Sequence, residues 1–306
     1  MRKTKLTILF IVLVFVGFMV LTYKSRAEYQ TKDVDFTFVQ MSDVHWGFND
    51  SKINPDFDGT FRKAINAVNK LDPAPDFVVF TGDLTHTTKD PVERNRRMKE
   101  FRAIVKGLNV KKVIFLAGEH DAGLDNGKIY KQDFGRSYYS FDHNGIHFIA
   151  LDNASDADSN LGEVQLQWLG NDLKKHNKDE ALIVLTHRPL FELYQQWDWW
   201  TRDGAQALEL LSPFRIVSVF YGHIHQLDRR VTGNIIHYAA QGLMYPLPAA
   251  GSVAKKAPVA WDPAHPYKGL GFRSVLVKVN NGECVATDYT LEGTVCSVNC
   301  AVYTSP

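Results

Sequence analysis

Short apolar runs recur along this chain, and each closes on side chains able to bind a metal. Phe77–Phe80, Val113–Leu116, Ala181–Leu185 and Ile216–Phe220 are unbroken stretches rich in β-branched and aromatic residues. Such runs read as strands buried on both faces. Asp35–Met41 alternates instead and predicts the first strand. Between the runs, Phe61–Leu71, Val92–Val105, Val164–Leu173 and Ala205–Leu211 carry the spacing of amphipathic helices. Strands alternating with helices predict an α/β fold. Ser137–Phe141 and Ile146–Leu151 flank an Asn144-Gly145 turn and predict a hairpin. Val231–Tyr238 suggests another, and Arg273–Val279 with Glu283–Tyr289 a closing one. Lys128–Arg136 reads as a surface connection. His143 and His147 read as a turn residue and a sheet residue. Residues 246–266 hold five of the twelve prolines and read as an irregular excursion.

The amino terminus departs from this rhythm. A basic head, Arg2, Lys3 and Lys5, precedes an apolar run from Leu6 to Tyr23, whose helix would rise about 27 Å, close to a bilayer core. Ser25-Arg26-Ala27 suits a cleavage site, whereas the length of the run and Lys24 behind it suit an uncleaved anchor. Residues 1–27 are therefore expected to be a signal peptide or membrane anchor, 28–34 a linker, and 35–306 one exported domain, periplasmic or at the cell surface. The first 27 residues hold five of the 35 basic residues and no acid, so the remainder carries 30 basic against 34 acidic residues, a net of −4. That balance weighs against a nucleic-acid partner. Cys284, Cys296 and Cys300 all lie near the carboxyl end, where an exported location permits one disulfide with one thiol left over.

The chemistry lies where the strands end. Asp43 and His45 follow the first strand, and in extended backbone residues i and i+2 point to one side. Asp83 follows Phe77–Phe80, Glu119-His120-Asp121 follow Val113–Leu116, His187 follows Ala181–Leu185, and His223 and His225 follow Ile216–Phe220. Open α/β sheets bind ligands at that edge. Carboxylates mixed with imidazoles suit zinc, manganese or iron, and a shared carboxylate bridges two ions in hydrolytic centres.

In order and spacing, Asp43-x-His45, Gly82-Asp83, Gly118-Glu119-His120-Asp121, His187 and Gly222-His223-x-His225 resemble the calcineurin-like metallophosphoesterase family. The resemblance runs from about Asp35 to His237. It implies a four-layer α-β-β-α sandwich and two divalent metal ions. It places Asp43, His45 and His225 on one ion and His187 and His223 on the other, with Asp83 between. His120 corresponds to the leaving-group acid and Asp121 to the carboxylate that orients it. The implied activity is hydrolysis of a phosphate ester by attack of a metal-bound hydroxide. A small-molecule phosphodiester is favoured; the alternatives are a monoester or a catalytically silent metal-binding module. The chain departs from the family in one place, with Glu119 where asparagine is usual. Two divalent ions with Asp43 and Asp83 carry about +2, and an anionic Glu119 would leave about +1, which favours monoanionic diesters. For substrate contacts, Arg188 and His86 stand next to ligands, and Trp197, Trp199 and Trp200 offer a surface on which an organic group can stack.

Overall fold

Phe77 and Val79 of one strand turn to one side and Val78 and Phe80 to the other, and all four are buried. A strand of this kind needs cover on both faces, and the computed structural model supplies it. The structure describes residues 34–293 and 295–297. One sheet has the order β12-β11-β10-β1-β2-β3: β1 is Phe36–Met41, β2 Phe77–Phe80, β3 Lys112–Phe115, β10 Gly271–Lys278, β11 Glu283–Thr290 and β12 Val295–Ser297. The other has the order β4-β5-β6-β7-β9-β8: β4 is Tyr139–His143, β5 Ile146–Ala150, β6 Ala181–Leu185, β7 Ile216–Tyr221, β8 Asp228–Thr232 and β9 Ile235–Ala239. The chemistry-bearing strands β1, β2 and β3 pair in parallel, as do β6 and β7, so their carboxyl ends line one edge.

The sheets face each other across an aromatic core. Phe38 and Phe77 stack at 5.4 Å, while Phe148 and Phe220 of the second sheet meet Phe38 edge-on at 5.8 and 5.3 Å. Each fully buried phenylalanine contributes about 1.5–3 kcal/mol. Helices Phe57–Val68 and Pro91–Val105 cover the outer face of the first sheet, and Glu163–Leu173 and Gly204–Leu211 that of the second. The layers are therefore α-β-β-α.

Near the metal-binding edge one polar side chain ties the sheets. Gln40 of β1, fully buried, donates from Nε2 to the Tyr221 carbonyl of β7 at 3.0 Å and to Thr81 Oγ1 at 3.2 Å.

Some expectations are corrected. Lys128–Phe134 is a helix with Tyr130 fully buried, not a surface connection; its one-turn apolar pattern was too short to show a period. His147 is more than a sheet residue: its ring lies between Asp142 Oδ1 at 2.7 Å and Asp172 Oδ2 at 2.9 Å. Residues 246–266 form no helix or strand, and Cys284 is a free thiol. The expected signal or anchor, nearly all of the linker, and the side chains of Cys296 and Cys300 lie outside the described residues. Among the described residues no helix is long and apolar enough to cross a membrane.

Replacing Gln40 with leucine keeps the volume and removes its tie between the sheets, while the Tyr221 carbonyl still accepts from the Ala240 N–H at 3.2 Å and the unpartnered Gln40 Oε1 is lost. The expected loss is about 0.5–1.5 kcal/mol of stability, the net contribution of a hydrogen bond, read from urea unfolding.

Candidate metal centre

The strand-end residues do not continue the strands. Asp43, His45, Asp83, His223 and His225 all have left-handed backbone, with φ of 54°, 44°, 51°, 65° and 54°. The extended i, i+2 arrangement expected for Asp43-x-His45 and His223-x-His225 is therefore replaced by tight turns. Such backbone costs non-glycine residues about 1–2 kcal/mol each and persists where neighbours over-determine it. Here they do. His45 N–H donates to the Asp83 carbonyl at 2.8 Å and Asp43 N–H to that of Gly82 at 3.1 Å, so the turns after β1 and β2 stay in register. His223 N–H donates to the Asp43 carboxylate at 3.1 Å, joining the two sheets.

Two triads result. Asp43, His45 and His225 bring one ligand atom each to a common place, and Glu119, His187 and His223 do the same. In the first, His45 Nε2 lies 3.2 Å from His225 Nε2, and His225 Nε2 lies 3.4 Å from Asp43 Oδ1. In the second, Glu119 Oε2 is 2.8 Å from His187 Nε2 and Oε1 is 3.0 Å from His223 Nδ1. Asp83 Oδ2 reaches both, 3.4 Å from His45 and 3.5 Å from His187. Glu119, despite its extra methylene, faces both imidazoles of the second triad.

The donor set fits divalent ions. His187 Nε2, His223 Nδ1 and Glu119 Oε2 are buried without a hydrogen-bond partner although they converge. Backbone carbonyls take the opposite nitrogens: Thr81 accepts from His187 Nδ1 at 2.7 Å, Tyr245 from His225 Nδ1 at 2.6 Å, and Asp198 from His223 Nε2 at 3.0 Å. A carbonyl only accepts, so the Thr81 and Tyr245 contacts turn the other nitrogens of His187 and His225 inward, whereas His223 Nε2 also lies 3.2 Å from Arg188 Nη1, a donor.

Electrostatics follow from this crowding. Burial pushes Asp43 up and His45 well below the usual imidazole range. Burial outweighs the pull of Glu119 on His223, which falls to about 4. Against burial, Asp83 and Glu119 hold His187 well above its ordinary value. Glu119, also against burial, is held low by Arg188, His223 and His187.

Asp121 does not orient His120. Its carboxylate accepts from the backbone N–H of Leu84, Thr85 and Gly118 at 2.9, 2.8 and 3.0 Å, and so braces the turn that carries Asp83. Burial and the neighbouring Asp83 push its pKa up to about 7. His120 is held instead by Thr87, whose Oγ1 is 2.8 Å from Nδ1. His86 stacks on His120 at 4.8 Å and places Nδ1 3.3 Å from His45 Nδ1.

Arg188 is buried and joins Asp198 Oδ2, on a half-exposed side chain, at 2.6 Å to Glu119 Oε2 at 3.5 Å. Trp197 and Trp199 pack into a cluster with Tyr221, Ile224 and Ala239, and the half-buried Trp200 stands under Arg202. The aromatic segment thus approaches the centre through Asp198, not through its indoles. Sequence reasoning also missed Tyr245 and Lys256, which line the pocket over the triads with Glu119 and His120. Tyr245 stacks on His225 at 4.6 Å and on His45 at 5.0 Å. Both come from the irregular excursion or its threshold, where no periodicity marked them.

Comparison with known proteins gives a consistent picture. The pattern of the Metallophos family, calcineurin-like phosphoesterase, matches residues 36–227. The serine/threonine-protein phosphatase CPPED1 of Danio rerio is 26% identical over 233 residues, covering 67% of this chain and 75% of that protein. A probable glycerophosphodiester phosphodiesterase GpdQ of Arcobacter nitrofigilis is 28% identical over 184 residues, 55% of this chain and 63% of that protein. Among solved structures, a dimetal phosphatase from Danio rerio superposes with a TM-score of 0.61 at 16% identity, covering 86% of this chain and 98% of that one. A purple acid phosphatase from yellow lupin gives 0.62 at 16% identity, covering 86% and 53%. These two likenesses bear on the fold.

The glycine behind the shared carboxylate admits no side chain. A Cβ on Gly118 would stand 2.0 Å from Asp83 Oδ1 and 2.2 Å from Asp83 N. Gly118→Ala is expected to displace Asp83 and lower bound metal below two ions per chain, measured by elemental analysis after dialysis.

Proposed function

The chain belongs to the calcineurin-like phosphoesterase family, and from that premise we propose that it hydrolyses a small-molecule phosphate ester at the two triads. It is a metallophosphoesterase, and its hydrolysis is metal-dependent. Asp43, His45 and His225 would hold one ion, Glu119, His187 and His223 the other, with Asp83 shared; manganese, zinc and iron all suit these donors. When bound, the ions supply Lewis-acid polarisation of the phosphate and of an attacking water.

The observation that carries the reading is His120 beside that shared carboxylate. Its backbone N–H donates to Asp83 Oδ1 at 2.9 Å, and its ring meets His45 edge-on at 4.6 Å. Thr87 Oγ1 at 2.8 Å and the Thr87 backbone N–H at 3.3 Å both lie against His120 Nδ1, which leaves Nε2 for the substrate. Protonated on both nitrogens, the ring would donate Nδ1–H to Thr87 Oγ1 and pass its Nε2 proton to the departing ester oxygen, ending as neutral imidazole, the role of a general acid. A purely structural metal site has no use for an acid held in this way.

The leaning toward a phosphodiester rests on Glu119 lowering the charge of the centre. Arg188, Asp198 and Lys256 also enter that count, so both ester classes are tested. The basic head and apolar run of the first 23 residues support an extracytoplasmic location, which residues 34–293 do not address.

With manganese, zinc or iron(II) added, the full chain is expected to hydrolyse aryl phosphate esters. His120→Ala should lower turnover by about 10²–10⁴-fold while both ions stay bound. Turnover unchanged in that variant would reject His120 as the acid. Thr87→Val should cost about five- to tenfold in kcat, the worth of one hydrogen bond to the acid.

A further inference from the structure

We propose that Lys256 is a specificity residue, whose ammonium binds the phosphate group at the triads and selects the doubly charged phosphate of a monoester over the singly charged phosphate of a diester. The proposal rests on the phosphoesterase reading and names its substrate class.

Lys256 belongs to the excursion 246–266, far in sequence from every triad residue. The fold nevertheless makes it a wall of the pocket that Glu119, His120 and His223 line. Its Nζ donates to the Trp197 carbonyl at 2.9 Å. That contact anchors the ammonium beside Asp198 and leaves it donors for a phosphate oxygen. Burial lowers its pKa, and Glu119 is the strongest charge opposing the fall. Lysine on a phosphate acts as a point charge, so it gains more from a dianion than from a monoanion.

The charges of the pocket point the same way. Glu119 and Asp198 bring two negative charges, and Arg188, paired with both, brings one positive. Lys256 supplies the second positive charge and returns a centre holding two divalent ions, Asp43 and Asp83 to about +2. Lys256 is thus the counterweight to Glu119, the one position where the chain departs from the family pattern. The pocket is also small, with a cavity of about 120 Å³ that Leu247, Ala257 and Pro258 line as well. That volume suits a phosphate group and leaves the organic part of the substrate outside.

The test compares the manganese-loaded full chain with Lys256→Gln and Lys256→Arg, after confirming equal metal content. The probes are p-nitrophenyl phosphate, its methyl diester, and inorganic phosphate titrated calorimetrically just above neutral pH. Lys256→Gln should weaken phosphate binding and monoester kcat/KM by about tenfold or more, as expected on losing a charged hydrogen bond. The diester should change by less than about threefold by the same reasoning, and Lys256→Arg should restore most of the phosphate affinity. Equal losses on both esters, or unchanged phosphate binding in Lys256→Gln, overturn the proposal. If wild type hydrolyses neither ester, the phosphoesterase reading fails. The phosphate titration then decides the role of Lys256, a tenfold loss supporting it and no loss overturning it.

Discussion

Too many like charges are buried in one place, and most of the site can be understood as the means of keeping them there. Asp43 and Asp83 are almost wholly inaccessible, and Glu119 lies against the same imidazoles. Isolated buried carboxylates would take up protons instead of remaining charged. The chain moreover bends five ligand-bearing residues into left-handed backbone, adding strain to repulsion. Nothing local favours such a cluster. It holds because the β1 and β2 turns are hydrogen-bonded to each other, the Asp43 carboxylate receives the His223 N–H, and Asp121 gathers three backbone donors under Asp83. Two divalent ions held by these residues would offset the remaining charge and so couple metal affinity to fold stability.

This view changes how Asp121 and Glu119 are understood. Family resemblance gives Asp121 a role at the imidazole of His120, but geometry places it one step back, fixing the turn from which both Asp83 and His120 are positioned. Glu119 looks at first like an uncompensated charge. In three dimensions it belongs to a chain of alternating sign, from the imidazoles through Glu119 and Arg188 to Asp198. A substitution that subtracts charge from the metals is thereby tied to the aromatic segment, which must come close for Asp198 to reach Arg188.

What was legible in the sequence follows from the range of the forces involved. Phe77–Phe80 could be read as a strand buried on both faces because local hydrophobicity records burial on each side, and the sandwich confirms it. The ligand-type residues were legible because strand ends are where a parallel sheet gathers its side chains. The backbone that aims them was not, since a left-handed aspartate or histidine carries no local signature. The tryptophans misled for a related reason. Trp197 and Trp199 have the composition of a stacking surface, yet an apolar shelf of Tyr221, Ile224 and Ala239 was waiting for them. Burying an indole there outweighs leaving it in a wet cleft. Tyr245 and Lys256 were invisible because the excursion obeys no period, and only tertiary structure brings it over the triads.

Two parts of the chain therefore do different work. The strand ends make a floor whose chemistry the shared motifs dictate, and floors of this kind support the reaction itself. The aromatic segment and the excursion make a rim, and they meet where Lys256 donates to the Trp197 carbonyl. A floor built from over-determined turns tolerates little change: a methyl group on Gly118 already intrudes on Asp83. The rim has no such constraint, being irregular backbone held by a few side-chain contacts. Differences in substrate between proteins sharing this floor should then reside in the rim. In this chain the rim contributes Asp198, half-exposed and paired with Arg188, one lysine and the apolar side chains of Leu247 and Pro258 around the pocket that His120 lines.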